Sequence, residues 1–264
     1  MKLTKEQIEI YDKNGMIFIP DCFSNKEVEN MQAALSVLME KDTPGRVFEK
    51  DKKTIRALHG CNMNSTLFQR LTLHPRLLEP VKQLLNGDVY TYQFKINLKA
   101  PFNGDWWPWH QDFIFWEKED GMPSPNAINV AIFLNEVNEF NGPMYFIPGS
   151  HKQSYTHIQE NSTTKWIDNF IADLKYTLDK ATIAKLVEKE GIIAPKGCSG
   201  SVLFFHCNLV HGSLPNISPY ERALAIITYN NLNNIPVFKG EPRPEFLVSQ
   251  DYTSLQSLTD EVLL

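Results

Sequence analysis

A histidine and an aspartate lie two positions apart in an otherwise apolar and aromatic stretch, WPWHQDFIFW. They are His110 and Asp112, between Trp107 and Trp116. If this stretch is a strand, both side chains point to the same face, because side chains alternate along a strand. One imidazole nitrogen and one carboxylate oxygen then meet at a single point, which predicts two ligands of a metal site.

Such a site needs a third ligand from elsewhere in the chain, and His211 in LVHGS is our first candidate. Two histidines and one carboxylate form the facial triad of non-haem iron(II) oxygenases, which leaves coordination positions open for a cosubstrate and dioxygen. A hydrogen bond between buried His110 and Asp112, without metal, is the alternative. Three further histidines are alternative candidates for the third ligand: His151, His157 and His206.

Arg222 is the next residue that could take part in this chemistry. It follows His211 by eleven residues, after the turn LPNISPYE, on the next predicted strand. The planar guanidinium can hold a carboxylate through two hydrogen bonds. It would suit the far end of a cosubstrate whose other end chelates the metal. The alternative is an ordinary solvent-exposed charge.

The elements that must position these residues change from helices to strands along the chain. Capping-box patterns at Thr4 and Ser24 predict two helices, the first ending at Gly15, and a third helix is predicted over 75–85. From residue 88 onward, apolar and polar residues alternate in several stretches, which indicates strands.

Two details of this pattern concern the candidate site. GSVLFFHCNLVHGS is predicted as one strand, in which the odd spacing turns His206 away from the face of His211. The stretch from Ser162 to Glu190 is polar and is predicted as a helical insertion that could cover a site. Helices at the start of the chain, followed by many strands with long connections, predict a single β-sandwich or jelly roll with helical flanks.

Composition excludes several classes of protein. The formal net charge is −5 and no long basic run occurs, so nucleic acid and anionic membranes are poor partners. No apolar run approaches the ~18 residues of a membrane span, and charges interrupt the N-terminal stretch where a signal peptide needs an apolar core. The four cysteines form no C-x-x-C pair, which disfavours a zinc knuckle. We therefore expect a cytoplasmic protein, and the sequence makes no prediction about oligomeric state.

Several longer motifs resemble one known family. WHQDF, EFNGP, HGSLPNISP, ITYN, YQFKIN and GEPRPEF are similar to segments of the phytanoyl-CoA dioxygenase family of iron(II)- and 2-oxoglutarate-dependent oxygenases. The likeness is closest to bacterial free L-leucine 5-hydroxylases and extends to ectoine hydroxylase. It implies a mainly β, double-stranded β-helix (a cupin-like jelly roll) with flanking N-terminal helices and a helical insertion.

The resemblance also implies domain limits. We expect a single dioxygenase domain over 1–264, with a helical flank at about 1–87 and a jelly-roll core at about 88–235. The insertion is expected near 160–190 and a C-terminal segment at about 236–264.

Roles for individual residues follow from the same resemblance. It implies that His110, Asp112 and His211 bind iron(II), and that Arg222, with Ser213 beside it, holds the distal carboxylate of 2-oxoglutarate. Dioxygen is the second cosubstrate. Related iron halogenases carry a small residue in place of the carboxylate ligand. Because this chain keeps Asp112, hydroxylation is favoured over halogenation.

Three polar residues of YQFKIN share one predicted strand face. Gln93 and Asn97 match positions that flank the cosubstrate in ectoine hydroxylase, and Lys95 stands where that enzyme has an arginine facing its substrate. This difference disfavours ectoine as the substrate. A polar strand face exposed to solvent is the alternative.

The resemblance implies hydroxylation of an unactivated C–H bond in a free aliphatic L-amino acid, with L-leucine, hydroxylated at carbon 5, as the first choice. Ectoine, proline and a carrier-bound amino acid are alternative substrates, and a metal-free jelly-roll binding protein is the non-enzymatic alternative. Candidate substrate contacts are Arg243 for the carboxylate, Arg56 as its alternative, His59 nearby, and an aromatic wall of Phe113, Phe115 and Trp116. Each aromatic residue could equally belong to the core.

Overall fold

The computed structural model describes residues 1–155, 158–160 and 174–264. Its α-helices are α1 Lys5–Asn14, α2 Asn25–Glu40, α3 Cys61–Asn64, α4 Thr66–Thr72, α5 Pro75–Leu85, α6 Phe113–Phe115 and α7 Lys180–Glu190. A π-helix spans Trp116–Asp120, and 3-10 turns span Ser150–Lys152 and Leu232–Asn234. The strands are β1 Met16–Ile19, β2 Arg46–Phe48, β3 Ile55–His59, β4 Val89–Lys99, β5 Trp107–His110, β6 Ala127–Phe133, β7 Met144–Phe146, β8 Ile158–Glu160, β9 Tyr176–Leu178, β10 Val202–His206, β11 His211–Ser213 and β12 Arg222–Asn231.

The first two helices begin as their capping boxes predict. The Thr4 hydroxyl accepts from the backbone N–H of Gln7 at 3.2 Å, and the Gln7 side chain accepts from the backbone N–H of Thr4 at 2.9 Å. Ser24 and Glu27 form the same pair at the start of α2. Gly15 ends α1 with φ 78°, a conformation that glycine adopts at little cost.

The predicted third helix is present as α5, but two short helices, α3 and α4, precede it. These two helices were not predicted, because four and seven residues are too few to show a helical period in the sequence.

Two antiparallel sheets form the body of the molecule. The larger has the strand order β1-β10-β6-β12-β4-β3-β2, and the smaller has the order β5-β11-β7. The predicted mainly β jelly roll with flanking helices is confirmed. Side chains alternate along β12: Ala225 and Ile227 join the apolar cluster under the helices, whereas Leu224 and Ile226 join the cluster with Phe146 of the smaller sheet. The candidate site lies on this second, inner face.

One predicted strand is wrong. GSVLFFHCNLVHGS is not continuous, because β10 ends at His206 in the larger sheet and β11 begins at His211 in the smaller one. The intervening residues carry the chain from one sheet to the other. Apolar composition continues through this crossing, so the hydrophobic pattern alone does not reveal it.

In the described part of the predicted helical insertion over 162–190, the helix is α7, and Asp179 caps it by accepting from the backbone N–H of Thr182 at 2.9 Å. The short strand β9 precedes that helix and pairs with β8. The remainder of the predicted insertion, 162–173, lies outside the described residues, as does His157. Across the described part of the chain, no helix has the length and apolar character needed to cross a membrane.

Candidate metal centre and its cavity

Three buried side chains converge on one point between the two sheets. The ligand atoms of His110, Asp112 and His211 all lie within 4.8 Å of one another. His110 Nε2 is 3.6 Å from Asp112 Oδ1, and His211 Nε2 is 3.8 Å from Asp112 Oδ2. Two nitrogen donors and one carboxylate at this separation fit the facial set of a divalent iron site.

Different local structures place the three ligands. His110 ends β5 and His211 begins β11, and the two residues are direct cross-strand partners. Asp112 lies beyond the strand, with φ −68° and ψ −38°, just before α6. The strand alternation predicted for His110 and Asp112 is therefore wrong, although the side chains do meet. The chain bends immediately after His110, and this bend returns the carboxylate to the imidazole.

Backbone carbonyls fix the orientation of both imidazoles. The Nδ1 of His110 lies 2.7 Å from the carbonyl oxygen of Pro108, and the Nδ1 of His211 lies 2.9 Å from that of Leu209. A carbonyl can only accept, so each Nδ1 carries the proton and donates it. Each Nε2 then presents a lone pair toward the shared point, as metal-ligating histidines do.

The electrostatic environment favours the protonation states that bind a metal. Burial, with the neighbouring His110, lowers the pKa of His211 to about 3, so its imidazole is neutral near pH 7. Burial alone would raise the pKa of Asp112, but Lys95 and His211 outweigh it and hold that pKa well below its ordinary value. The site therefore offers an ionised carboxylate beside a neutral imidazole.

The triad lies at the wall of a cavity of about 760 Å³, a volume that includes its open mouth. The structure brings six predicted polar site residues to this cavity: Gln93, Lys95, Asn97, Ser213, Arg222 and Arg243. The first three lie at alternate positions of β4, as predicted for one strand face. Trp116 and Phe115 also line the cavity, as the aromatic wall requires.

Arg222 and Ser213 have the properties of an anion site. The Arg222 guanidinium is 1% exposed and donates to the carbonyl oxygen of Gly142, at 3.2 Å from Nε and 2.7 Å from Nη2. Burial, with Arg56 nearby, lowers its pKa to about 9, so it remains mostly charged at pH 7. The buried Ser213 hydroxyl has no hydrogen-bond partner among the described residues. A carboxylate would satisfy both groups.

Arg243 reaches the cavity but is already paired. Its Nε and Nη2 donate to the two oxygens of Asp120 at 2.7 and 2.6 Å, and Tyr92 also donates to this carboxylate. Contact with a substrate carboxylate stays a prediction. Asp120 could not be predicted as the partner of Arg243, because no local pattern links two residues 123 positions apart.

Three predicted substrate contacts do not line the cavity. Arg56 is buried behind it, where it pairs with Glu49 at 2.9 Å and stacks 3.9 Å from the centre of the Trp107 ring. His59 is buried opposite Lys95 in the strand register. Phe113 is buried in the apolar cluster that also contains Phe115 and Trp116, but unlike those two residues it does not line the cavity. Arg56 thus supports the cavity wall through Trp107, which does line it.

The alternative histidines lie elsewhere. His206 and His151 face each other, with ring centres 5.1 Å apart, and neither belongs to the triad. The lining residues that sequence reasoning missed include Met144, Phe205 and Ile226. The alternation of β12 offered a signal for Ile226, because it shares the parity of Arg222.

Comparison with known proteins agrees with this geometry. The family model described as phytanoyl-CoA dioxygenase (PhyH) matches residues 11–224. This chain belongs to the phytanoyl-CoA dioxygenase family. The predicted family and the predicted enzyme class, a dioxygenase, are thereby confirmed.

Relatives within the phytanoyl-CoA dioxygenase family align along nearly the whole chain. L-proline trans-4-hydroxylase of Streptomyces griseoviridis is 36% identical over 247 residues, covering 92% of this chain and 91% of that protein. Ectoine dioxygenase of Sphingopyxis alaskensis is 34% identical over 252 residues, covering 93% and 82%. The crystal structure of EctD from S. alaskensis with 2-oxoglutarate and 5-hydroxyectoine superposes with a TM-score of 0.84 at 32% identity, covering 97% of this chain and 87% of that one. Another structure of the same protein has bound Fe and a TM-score of 0.83.

Proposed function

We propose that this chain is an iron(II)- and 2-oxoglutarate-dependent hydroxylase of a free aliphatic L-amino acid, with L-leucine hydroxylated at carbon 5 as the first choice. One observation carries the proposal. The buried His110–Asp112–His211 triad opens into the same cavity as the unsatisfied Ser213 hydroxyl and the buried Arg222 guanidinium. The predicted cofactors, iron and 2-oxoglutarate, are confirmed by this triad together with the solved relative that holds both.

The bound cofactors supply the oxidising chemistry: one oxygen atom of O2 enters the substrate C–H bond, and the other enters 2-oxoglutarate, which leaves as succinate and CO2. The chain's own residues bind and orient. Arg222 is assigned the distal carboxylate of 2-oxoglutarate, with a hydrogen bond from Ser213. Gln93 and Asn97, on the adjacent strand β4, offer amides to the rest of the cosubstrate. Such positioning lowers the entropic part of the barrier.

Apolar side chains also line the cavity. Trp107, Phe115, Trp116, Met144 and Ile226 line it and would exclude water from an aliphatic chain near the metal. Two cations, Lys95 and Arg243, lie on the same cavity and suit the carboxylate of an amino acid. An aliphatic amino acid combines these two requirements.

L-proline is the second candidate, because the relative from S. griseoviridis is named as an L-proline hydroxylase and is 36% identical. It also combines a carboxylate with an apolar hydrocarbon part. The two substrates differ in shape at the reacting carbon, so direct competition between them is informative.

The test is turnover of free amino acids. Purified protein with iron(II), ascorbate and 2-oxoglutarate is incubated with single amino acids, and mass spectrometry reports the gain of one oxygen. We expect oxygen gain in L-leucine, with succinate formed in equal amount. Turnover of proline or ectoine without leucine would refute the leucine assignment alone. No succinate with any substrate would favour the binding-protein alternative.

Asp112→Ala is the matched negative control for this assay, because it removes one ligand and shortens one side chain. We expect turnover to fall to background while the melting temperature of the metal-free protein changes little. Substantial turnover by this variant would remove Asp112 from the ligand set.

A further inference from the structure

Asp112 is the one ligand of the triad that lies outside a strand. Its backbone is helical, so the ladder that aligns His110 with His211 does not hold it. Its carboxylate nevertheless has a fixed partner besides the two imidazoles. The side-chain amide of Asn129 donates to Asp112 Oδ2 at 2.7 Å.

Asn129 lies on a different element, the interior strand β6 of the larger sheet. It is fully buried in the middle of β6, and it pairs across the larger sheet with Thr228 of β12. The Thr228 hydroxyl donates to Asn129 Oδ1 at 2.6 Å. Thr228 is also fully buried, so water does not compete for these hydrogen bonds.

The chemistry of the three groups fixes the direction of both hydrogen bonds. An ionised carboxylate can only accept, so the NH2 of Asn129 must face Asp112. The amide oxygen then faces Thr228, and the hydroxyl must donate to it. A hydroxyl donor at this place opposes rotation of the amide, which would otherwise present its oxygen to the carboxylate.

We infer that Asn129, oriented by Thr228, is a positioning residue that holds Asp112 in the geometry required for metal binding. The amide occupies one side of Oδ2 and leaves Oδ1, which is nearer to His110, available for a single bond to the metal. A carboxylate that binds through one oxygen keeps other coordination positions open. The inference rests on the proposed metal site, but it does not depend on the identity of the amino-acid substrate.

Cobalt(II), an oxygen-stable substitute for iron(II), provides a test without turnover. The full chain is stripped of metal with a chelator and titrated with cobalt(II), and both the dissociation constant and the visible absorption spectrum are recorded. The variant Asn129→Leu removes the donor at similar volume. We expect its cobalt dissociation constant to rise about 10- to 100-fold, the usual effect of losing such an outer contact, with an altered spectrum.

Two variants at position 228 distinguish the effect of the hydroxyl donor from the effect of side-chain packing. Thr228→Val keeps the shape but removes the donor, whereas Thr228→Ser keeps the donor. We expect weaker cobalt binding in the valine variant and near wild-type binding in the serine variant. This pair decides the question if Asn129→Leu does not fold.

Asn230→Leu is the control for loss of a buried amide. Asn230 lies on the same strand as Thr228 and is fully buried, but its hydrogen bonds go to Tyr90 and Asn234. We expect lower stability with unchanged cobalt affinity. Wild-type cobalt affinity and spectrum in a folded Asn129→Leu, or in Thr228→Val, would overturn the inference. If wild type binds cobalt no better than Asp112→Ala, the proposed metal site itself is wrong.

Discussion

Arg222 shows how a charge can be buried with few partners when a ligand completes its environment. Within the described residues, its hydrogen bonds go to one carbonyl, that of Gly142. A buried cation usually has a charged partner, because leaving water is costly. The distal carboxylate of 2-oxoglutarate would supply that partner.

This leads to a prediction for Arg222→Gln. Loss of a charge-assisted hydrogen bond costs about 1.5–3 kcal/mol, so the dissociation constant for 2-oxoglutarate should rise about 10- to 100-fold. Titration calorimetry of 2-oxoglutarate binding to the cobalt-loaded wild type and variant measures this change.

Arg222→Lys is the matched control, because it keeps the charge and loses the planar fork. We expect a smaller rise than with glutamine, and unchanged cobalt affinity without cosubstrate in both variants. Wild-type affinity for 2-oxoglutarate in Arg222→Gln would exclude this assignment.

At the scale of elements, the C-terminal segment contacts the end of the π-helix and brings Arg243 to the cavity. The backbone N–H of Val237 donates to the carbonyl oxygen of Gly121 at 3.0 Å, and Leu247 packs in the apolar cluster that contains Trp116. The pair formed by Arg243 and Asp120 joins the two elements where they meet the cavity.

Asp120→Asn should therefore loosen this segment. It leaves the Arg243 charge buried without compensation, and breaking such a pair costs about 3–5 kcal/mol. We expect a lower free energy of unfolding, faster proteolytic cleavage within 236–249, and a larger rise in KM for the amino acid than for 2-oxoglutarate. Denaturant titration, limited proteolysis and steady-state kinetics measure these three effects.

Asp260→Asn is the comparison variant, because it breaks another arginine–aspartate pair whose aspartate is 62% exposed. An exposed pair contributes about 1 kcal/mol or less. Equal destabilisation by the two variants would contradict the structural role given to Asp120.

At the scale of the whole molecule, two neutral histidines link stability to pH: His59, which is buried, and His206, which is half-buried. Burial, with Lys95 and Arg243, lowers the pKa of His59 to about 3, and burial with His151 lowers that of His206 to about 4. Above about pH 6.5, the ordinary value, both are neutral in the folded and unfolded states. Below it, the unfolded chain binds protons that the folded chain excludes, so stability falls with pH down to about 4.

His206→Asn should make this dependence shallower. One proton fewer is taken up on unfolding, which reduces the slope by up to about 1.4 kcal/mol per pH unit between pH 6 and 4.5. Denaturant titrations of chelator-treated protein at several pH values measure the slope, and those at pH 7.5 provide the baseline. An unchanged slope would show that His206 titrates alike in both states.

Local rules explain what could be predicted. The capping boxes at Thr4 and Ser24 depend on residues three positions apart, and the side chains of Gln93, Lys95 and Asn97 share a face because strands alternate. The metal triad could be proposed because few combinations of residue types suit iron. These properties follow from bond geometry and donor chemistry.

The tertiary structure decided the rest. It ended β5 before Asp112, divided one apparent strand between two sheets, and gave Arg243 a buried partner. It also placed Arg56 behind the Trp107 ring and Asn129 against Asp112. These contacts join residues far apart in the chain. They depend on strand register and on how two sheets pack, which no local pattern of amino acids specifies.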